Sequence, residues 1–306
     1  MDLRGRTLDP DAWAAIRAAA TAPDGSVRLG RCWFDDTVVE GVSFHGVVFE
    51  GDVSFGRTGF GKGVSFYRTV FAGNVSFHEA VFAGNASFHE AAFRGHADFS
   101  RACFSGDALF DGAVWHRDAS FTEALFQNVA DFDRAVFHRD ALFQEACFRS
   151  IVSLRNTRVA RHLLFDRARF QGNAWIGPLS AGGRIGLDAA YALRCLKVSA
   201  RAPSPVTARR TVLDQLHLKV PADLSQAVVR SLLLEGVGTE DCVLDEAQVG
   251  ALKVRGGQAA AEEGYRRSPR AVFALGTLAL LAVTLAAFLF LHGMGQAPMH
   301  LAHLRP

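Results

Sequence analysis

The most constraining feature of this sequence is a run of twenty aromatic residues whose spacing alternates between five and six without a miss. The run begins at Phe44 and ends at Phe148, and every member is Phe except Trp115. Two residues before each member lies a small or β-branched residue, such as Val53 or Ala97. The repeating unit is therefore eleven residues long, and it fills one type of position again and again.

An α-helix cannot use this pattern, because steps of two, five and six residues at 100° each scatter the Ala and Phe side chains around the whole cylinder. A short extended segment can use it, since residues i−2 and i then point to the same side. The two or three residues that remain between units turn a corner. The pattern predicts a solenoid of short strands with the Ala and Phe side chains inside.

The repeat resembles that of the pentapeptide-repeat family, whose unit is Ala-Asp/Asn-Leu/Phe-x-x. The segments 97–101 (Ala-Asp-Phe-Ser-Arg) and 130–134 (Ala-Asp-Phe-Asp-Arg) match that unit outright. The resemblance implies an all-β solenoid, a right-handed quadrilateral β-helix with four units per coil. The extra residue in every second unit departs from the family pattern, and it predicts coils of twenty-two residues where the family has twenty.

Weaker residues continue the repeat on both sides of the Phe run, and these extensions define the expected organisation of the chain. A Pro-containing stretch, 201–205, predicts a break or a loop, after which the period becomes five, at Leu224, Val229 and Leu234. We expect an N-terminal capping helix and lead-in over 1–30, 22-residue coils over 31–200, a five-residue continuation over 201–255, a juxtamembrane linker over 256–270, a transmembrane helix over 271–291 and a short tail over 292–306.

The predicted transmembrane helix rests on 21 uncharged residues, 271–291. At 1.5 Å per residue this segment would span about 31 Å of hydrocarbon. Its upstream flank carries Arg266, Arg267 and Arg270, whereas the tail after it carries only Arg305. The positive-inside rule therefore predicts a single-pass membrane protein whose N-terminal rod lies in the cytoplasm.

Two rows of apolar residues are predicted to project outward from the rod, because each residue comes just before an inward aromatic residue. One row contains Val48, Val70, Ala92, Val114 and Val136, and the opposite row contains Val81, Cys103, Leu125 and Cys147. The corresponding positions on the other two sides are mostly Ser and Asp. Continuous apolar stripes on a rod are typical of a contact surface, although β-branched residues also simply suit strands.

Three further groups are candidates for chemistry. His116 and His138 lie one predicted coil apart, so they should stack on adjacent coils. They are weak candidates for a shared metal ion, and solvated corner residues repeated by duplication explain them better. A basic patch consisting of Arg155, Arg158, Arg161, Arg167 and Arg169 falls within one coil and suits anionic lipid or a nucleic-acid backbone. Cys103 and Cys147 are two coils, or about 9.6 Å, apart, too far for a disulfide.

The sequence therefore predicts a membrane-anchored, non-catalytic scaffold that binds a protein partner or itself and needs no cofactor. Some pentapeptide-repeat proteins mimic duplex DNA with an acidic rod and bind type II topoisomerases. Residues 31–200 carry 18 acidic and 18 basic side chains, so that mimicry lacks its electrostatic basis and nucleic acid is not an expected partner. The alternative to a scaffold is a membrane-associated enzyme, which would use the free cysteines or the stacked histidines.

Overall fold

A computed structural model describes residues 1–256 as a four-sided β-helix preceded by one helix. The strand Val75–Ser76 pairs in parallel with Val53–Ser54 on one side and with Ala97–Asp98 on the other. Each partner lies twenty-two positions away along the chain. The chain thus returns to the same place after every fourth unit, and the coil has the length that the extra residue in every second unit predicts.

The strands form four ladders, which we call sides 1 to 4 in chain order. Side 1 consists of Cys32–Trp33, Val53–Ser54, Val75–Ser76, Ala97–Asp98, Ala119–Ser120, Ala141–Leu142, Leu163–Leu164, Ile185–Gly186, Val206–Thr207 and Ala222–Asp223. Side 2 begins with Thr7–Leu8, Val38–Val39, Gly59–Phe60, Val81–Phe82, Cys103–Phe104, Leu125–Phe126, Cys147–Phe148 and Arg169–Phe170.

Side 3 begins with Val64–Ser65, Ala86–Ser87, Ala108–Leu109, Ala130–Asp131 and Val152–Ser153. Side 4 consists first of Arg28–Leu29, Val48–Phe49, Val70–Phe71, Ala92–Phe93, Val114–Trp115, Val136–Phe137 and Arg158–Val159. Longer strands then run through the corners from one side to the next, and these are Ala174–Ala181, Tyr191–Arg201, Val212–Leu218, Val228–Glu235 and Gln248–Arg255.

The aromatic residues fill the interior as four stacked columns. All twenty are at most 1% exposed, and neighbours in a column lie nearly parallel, as in Phe77 over Phe99 with ring centroids 4.8 Å apart. The columns of sides 1 and 3 also meet edge to face across the centre, where Phe99 and Phe88 are 5.4 Å apart at 88°. Each ring therefore makes both geometries that aromatic pairs favour.

The corners from side 1 to 2 and from side 3 to 4 are tight turns. In the turn Phe99–Ala102, the Ala102 amide donates to the Phe99 carbonyl at 3.1 Å, and Arg101 adopts φ +57°. A positive φ at the third residue alone marks a type II turn, which normally requires Gly or Asn. Here the position mostly carries Arg or Glu, and every non-glycine residue with positive φ in the described part of the chain, from Asp36 to Glu246, occupies it.

The corners from side 2 to 3 and from side 4 to 1 hold the extra residue. In these corners side-chain oxygens accept hydrogen bonds from backbone amides of the next coil. Asn74 accepts the His96 amide at 2.9 Å through Oδ1 and donates its own amide to Asp52 Oδ1 at 2.9 Å. Gly95 lies here because a Cβ would come within 2.4 Å of the Gly73 carbonyl oxygen of the preceding coil. These corners leave few backbone groups without a partner.

The N-terminal helix, Pro10–Ala20, takes the place of a side 3 strand in the first coil. Asp9 caps it by accepting the Ala12 amide at 2.8 Å, and Pro10 occupies the first turn. Trp13 is buried, its ring centroid is 4.7 Å from that of Phe44, and its Nε1 donates to the Ser43 carbonyl at 2.8 Å. The helix thus covers the end of the aromatic stack.

Over residues 202–256 no strand continues side 4, so the four-sided shape that the resemblance implies ends at Arg201. Val206 pairs with Ala222, so this coil takes only sixteen positions, whereas the next, from Val228 to Gln248, takes twenty. Three residues, 219–221, connect side 3 to side 1 in the sixteen-residue coil, against nine in a regular coil such as 66–74, and three residues are too few to form a side 4 strand. The residues 202–205 form a loop, the other possibility for this Pro-containing stretch, and Val206–Thr207 continues side 1 after it.

Within residues 1–256 no helix has the length and apolar character needed to cross a bilayer. The predicted transmembrane helix over 271–291, its linker from 257 onward and the tail over 292–306 lie outside the described residues.

Candidate interaction surface

The five residues predicted to form an outward row on side 4 lie next to one another on adjacent coils. Register pairs join Val48 to Val70, Val70 to Ala92, Ala92 to Val114 and Val114 to Val136. All five are half-buried, and the inward residue after each is buried. We call this set the side 4 row. Arg28 precedes it and Arg158 follows it on the same ladder.

A second apolar row lies on the opposite side of the rod. Val81, Cys103, Leu125 and Cys147 are successive register partners on side 2, and we call them the side 2 row. Gly59 precedes the row and Arg169 follows it. Val81 is 45% exposed and Cys147 only 7%, so the row protrudes most at its N-terminal end.

Over the coils of these two rows, sides 1 and 3 carry mostly polar groups at the outward positions, with Leu142 on side 1 and Leu109 on side 3 as apolar exceptions. Side 1 has a shallow depression lined by Trp33, Ser54, Ser76, His96 and Asp98, and side 3 has one lined by Tyr67, His89, Asp111 and Asp131. His89 Nδ1 lies 3.2 Å from Asp111 Oδ2, and burial raises the pKa of Asp131. Over residues 1–256 no set of three His, Cys, Asp or Glu side chains is placed to hold a metal ion.

The two candidate metal ligands do lie together, but as stacked rings. The His116 and His138 centroids are 5.0 Å apart with the rings 8° from parallel. The pKa of His116 lies below its usual value because of burial, and the charges of His138 and Arg94 lower it further. Parallel stacking does not direct two ring nitrogens at one ion.

The predicted basic patch is spread around the coil. Arg158 is on side 4 and Arg169 on side 2, while Arg155, Arg161 and Arg167 lie at three different corners. Arg155 stacks over Trp175 at 4.4 Å, and Arg167 pairs with Glu145 at 2.7 Å. A cluster in sequence is not a cluster in space here, because one coil carries its residues all the way round the rod.

Burial disfavours the thiolate form at four of the five cysteines. All five are free, and burial raises the pKa of the Cys32, Cys147, Cys195 and Cys242 thiols. A reactive cysteine requires the opposite shift, toward thiolate.

Sequence reasoning missed the charged corner beside side 2. Its positive-φ positions alternate in sign through Asp36, Arg57, Glu79, Arg101 and Glu123. Arg57 pairs with Asp36 at 2.7 Å and Arg101 with Glu123 at 3.1 Å. The period of the coil, applied to this position alone, would have revealed the alternation.

Comparison with known proteins agrees with this geometry. The profile of the family described as Pentapeptide repeats (9 copies) matches residues 66–114 and 110–158. This part of the chain consists of pentapeptide repeats. From Phe66 to Phe148 each side of every coil presents one inward aromatic residue, so the pentapeptide-repeat stretch contains most of the stacked columns and most of both apolar rows.

Among solved structures, the chain is similar to HetL, a pentapeptide repeat protein involved in heterocyst differentiation regulation from the cyanobacterium Nostoc sp.. The identity is 15%, the match covers 82% of this chain and 94% of HetL, and the TM-score is 0.29. A TM-score of this size carries no argument about shape or function. No curated protein sequence matches the chain.

Proposed function

We propose that this protein is a membrane-anchored pentapeptide-repeat scaffold that binds protein through the outward apolar rows of its β-helix. The observation that carries the proposal is the side 4 row, five half-buried apolar residues in unbroken register on a flat ladder. Rows of this kind expose a continuous apolar stripe to water, and burying it against a partner is favourable.

The alternative that the row reflects strand propensity alone is weakened by a comparison within the same coils. Equivalent outward positions on sides 1 and 3 carry Ser at 43, 54, 65, 76 and 87, and those strands pair in the same parallel register. Strand formation therefore does not require Val at this position. Apolar residues form unbroken rows on sides 2 and 4, whereas over the same coils sides 1 and 3 carry Ser or Asp except at Leu109 and Leu142.

The anchor is supported by the uncharged segment 271–291 and by the arginines that precede it. We propose that this segment spans the membrane once and holds the rod at the cytoplasmic surface. Protease added to intact cells should then leave the rod uncut, and it should digest the rod after the cells are lysed. Cutting of the rod in intact cells would contradict the orientation.

Binding through side 4 is tested with the triple variant Val70→Ser, Val114→Ser and Val136→Ser. The substitutions use the residue found at matching positions and remove no core atom, so thermal stability should stay close to that of the wild type. Chemical crosslinking in membranes should nevertheless lose the products that the wild-type protein gives. The matched control changes Ser54, Ser76 and Ser87 to Ala, which should leave crosslinking unchanged.

A triple Val→Ser variant that crosslinks as the wild type does would contradict the proposal. Loss of crosslinking together with a large drop in melting temperature would instead place these valines in the core, which contradicts it as well.

A further inference from the structure

We propose that the occupant of the side 4 row is the side 2 row of a second copy of the same chain, so that parallel rods associate laterally. The inference rests on the proposed scaffold function and names its partner. Three independent features of the two sides support it: their extent along the rod, the sizes of their residues and the charges at their borders.

The two apolar rows overlap along the rod. The side 2 row runs from Val81 to Cys147, and the side 4 row from Val48 to Val136, with Gly59 preceding the former. Arg158 ends the side 4 row about half a coil before Arg169 ends the side 2 row. Two rods side by side, with no large shift along their axes, would therefore place Gly59 and the side 2 row against the side 4 row along about 19 Å of contact, four coils at ~4.8 Å each.

The residue sizes of the two rows are complementary. Ala92 is the smallest member of the side 4 row, and it shares its coil with Val81, the most exposed member of the side 2 row. Gly59 on side 2 shares its coil with Val70 on side 4. A shift of about half a coil, ~2.4 Å, brings Val81 level with Ala92 and Gly59 level with Val70. At these two of the four levels a larger residue meets a small one, and at the other two Cys103 and Leu125 meet Val114 and Val136.

The borders of the two sides are also complementary in charge. When rods are related by translation, the corner from side 1 to 2 of one copy lies beside the corner from side 4 to 1 of the next. This places Glu79 opposite Arg94 and Glu123 opposite His138. Within residues 1–256 Arg94 forms no ion pair, whereas Glu79 already contacts Arg101 at 3.7 Å, so the Arg94 charge remains available to a partner. The same arrangement places Arg101 opposite His116, where burial lowers the pKa of the imidazole and so disfavours its charged form.

A contact between two different sides does not close on itself, so it extends into rows of parallel rods. Parallel rods keep all C-terminal ends on one side, which anchoring in one membrane requires. The contact is small: with sides about 13 Å wide, the apolar overlap of ~19 Å buries roughly 250 Å² per partner, and contact along the whole rod of ~48 Å would bury roughly 600 Å², less than the ~800 Å² of a standard interface. Confinement to a membrane raises the effective concentration and compensates for this weakness.

The test uses the full chain in phosphatidylcholine vesicles and the variant Val114→Cys. Cys103 on side 2 shares the coil of Val114 on side 4, so a short bismaleimide should join Cys103 of one copy to the new thiol of the next. We expect dimers, trimers and higher products on a denaturing gel. The double variant Val114→Cys, Cys103→Ser should lose these products. The wild type should give none, because its side 4 strands from Arg28–Leu29 to Arg158–Val159 carry no thiol.

A second arm tests the charged border. Glu79→Arg should lower the crosslinking yield of the Val114→Cys chain roughly tenfold, because it places Arg opposite Arg94. Combining Glu79→Arg with Arg94→Glu restores opposite charges across the contact and should restore the yield. Failure of the combined variant to recover, with its fold intact by circular dichroism, would overturn the inference.

Two further outcomes would also overturn it. Products that persist without Cys103 would show that side 4 meets side 4, and an absence of products while the new thiol reacts with a monofunctional maleimide would show that side 4 is free. Flotation of the vesicles tests the membrane anchor separately. A chain that does not float with the vesicles contradicts the proposed membrane attachment. The crosslinking experiments, repeated at raised protein concentration, then still test the contact between sides 2 and 4.

Discussion

Replacing Phe99 by Ala should destabilise the rod by about 4 kcal/mol, because truncation of a buried Phe costs about 3–5 kcal/mol. Phe99 is fully buried, stacks on Phe77 at 4.8 Å and on Phe121 at 4.9 Å, and meets Phe88 and Phe110 edge to face at 5.4 and 5.5 Å. These four ring contacts place Phe99 above the low end of that range, since each pair is favourable beyond its buried area.

The loss should be measured by urea unfolding of the full chain in detergent, followed by far-ultraviolet circular dichroism. A coil contacts only its neighbours, so amide hydrogen exchange should accelerate first at Phe77, Phe99 and Phe121. Ser76→Ala is the matched control on the same side, and as an outward substitution it should change stability by less than about 0.5 kcal/mol. A loss below about 1 kcal/mol for Phe99→Ala would refute the stacked interior.

Three more predictions concern single positions. Trp115→Phe should change stability by less than about 1 kcal/mol, because the lost ring atoms are offset by removal of a buried Nε1 that has no acceptor within residues 1–256; a loss above about 3 kcal/mol in urea unfolding would contradict this. Arg101→Gly should leave the urea midpoint close to that of the wild type, since relief of the positive φ offsets the loss of two exposed ion pairs, whereas Arg101→Val, which puts a β-branched residue at a positive φ, should lower it; equal midpoints would argue against the left-handed turn. The pKa of His116 should lie below its ordinary value and rise in His138→Ala, as followed by NMR titration, because a neighbouring positive charge is removed; an unchanged pKa would show that the rings are apart. Since that lowered pKa favours the neutral imidazole in the fold, any effect on stability appears as a loss when the pH falls below the pKa of unfolded His, about 6.5.

The inward positions and the coil length could be predicted because they depend on one repeated physical requirement. The inward residue at every fifth or sixth position must be apolar, and so must its partner one coil further on. The sequence meets this requirement with twenty aromatic residues in succession. The placement of His116 beside His138 and the two outward rows follow from the same period.

The remaining features depend on geometry that the repeat does not encode. Side 4 ends at Arg201 because the connections become short, and apolar spacing alone does not show which sides the chain visits. The five arginines from Arg155 to Arg169 looked like a patch only because neighbours in sequence lie on different sides of a narrow rod. The positive-φ corners escaped prediction because Arg and Glu, rather than Gly, occupy them.

The central claim, that sides 2 and 4 bind protein and sides 1 and 3 do not, is tested most directly by photo-crosslinking around a single coil. A photoreactive amino acid is introduced in turn at Ser76, Val81, Ser87 and Ala92, which place it on sides 1, 2, 3 and 4 of the coil, and the full chain is irradiated in its native membrane. The predicted result is protein crosslinks from Val81 and Ala92 and background levels from Ser76 and Ser87. Equal yields from all four positions, or yields confined to Ser76 and Ser87, would contradict the claim.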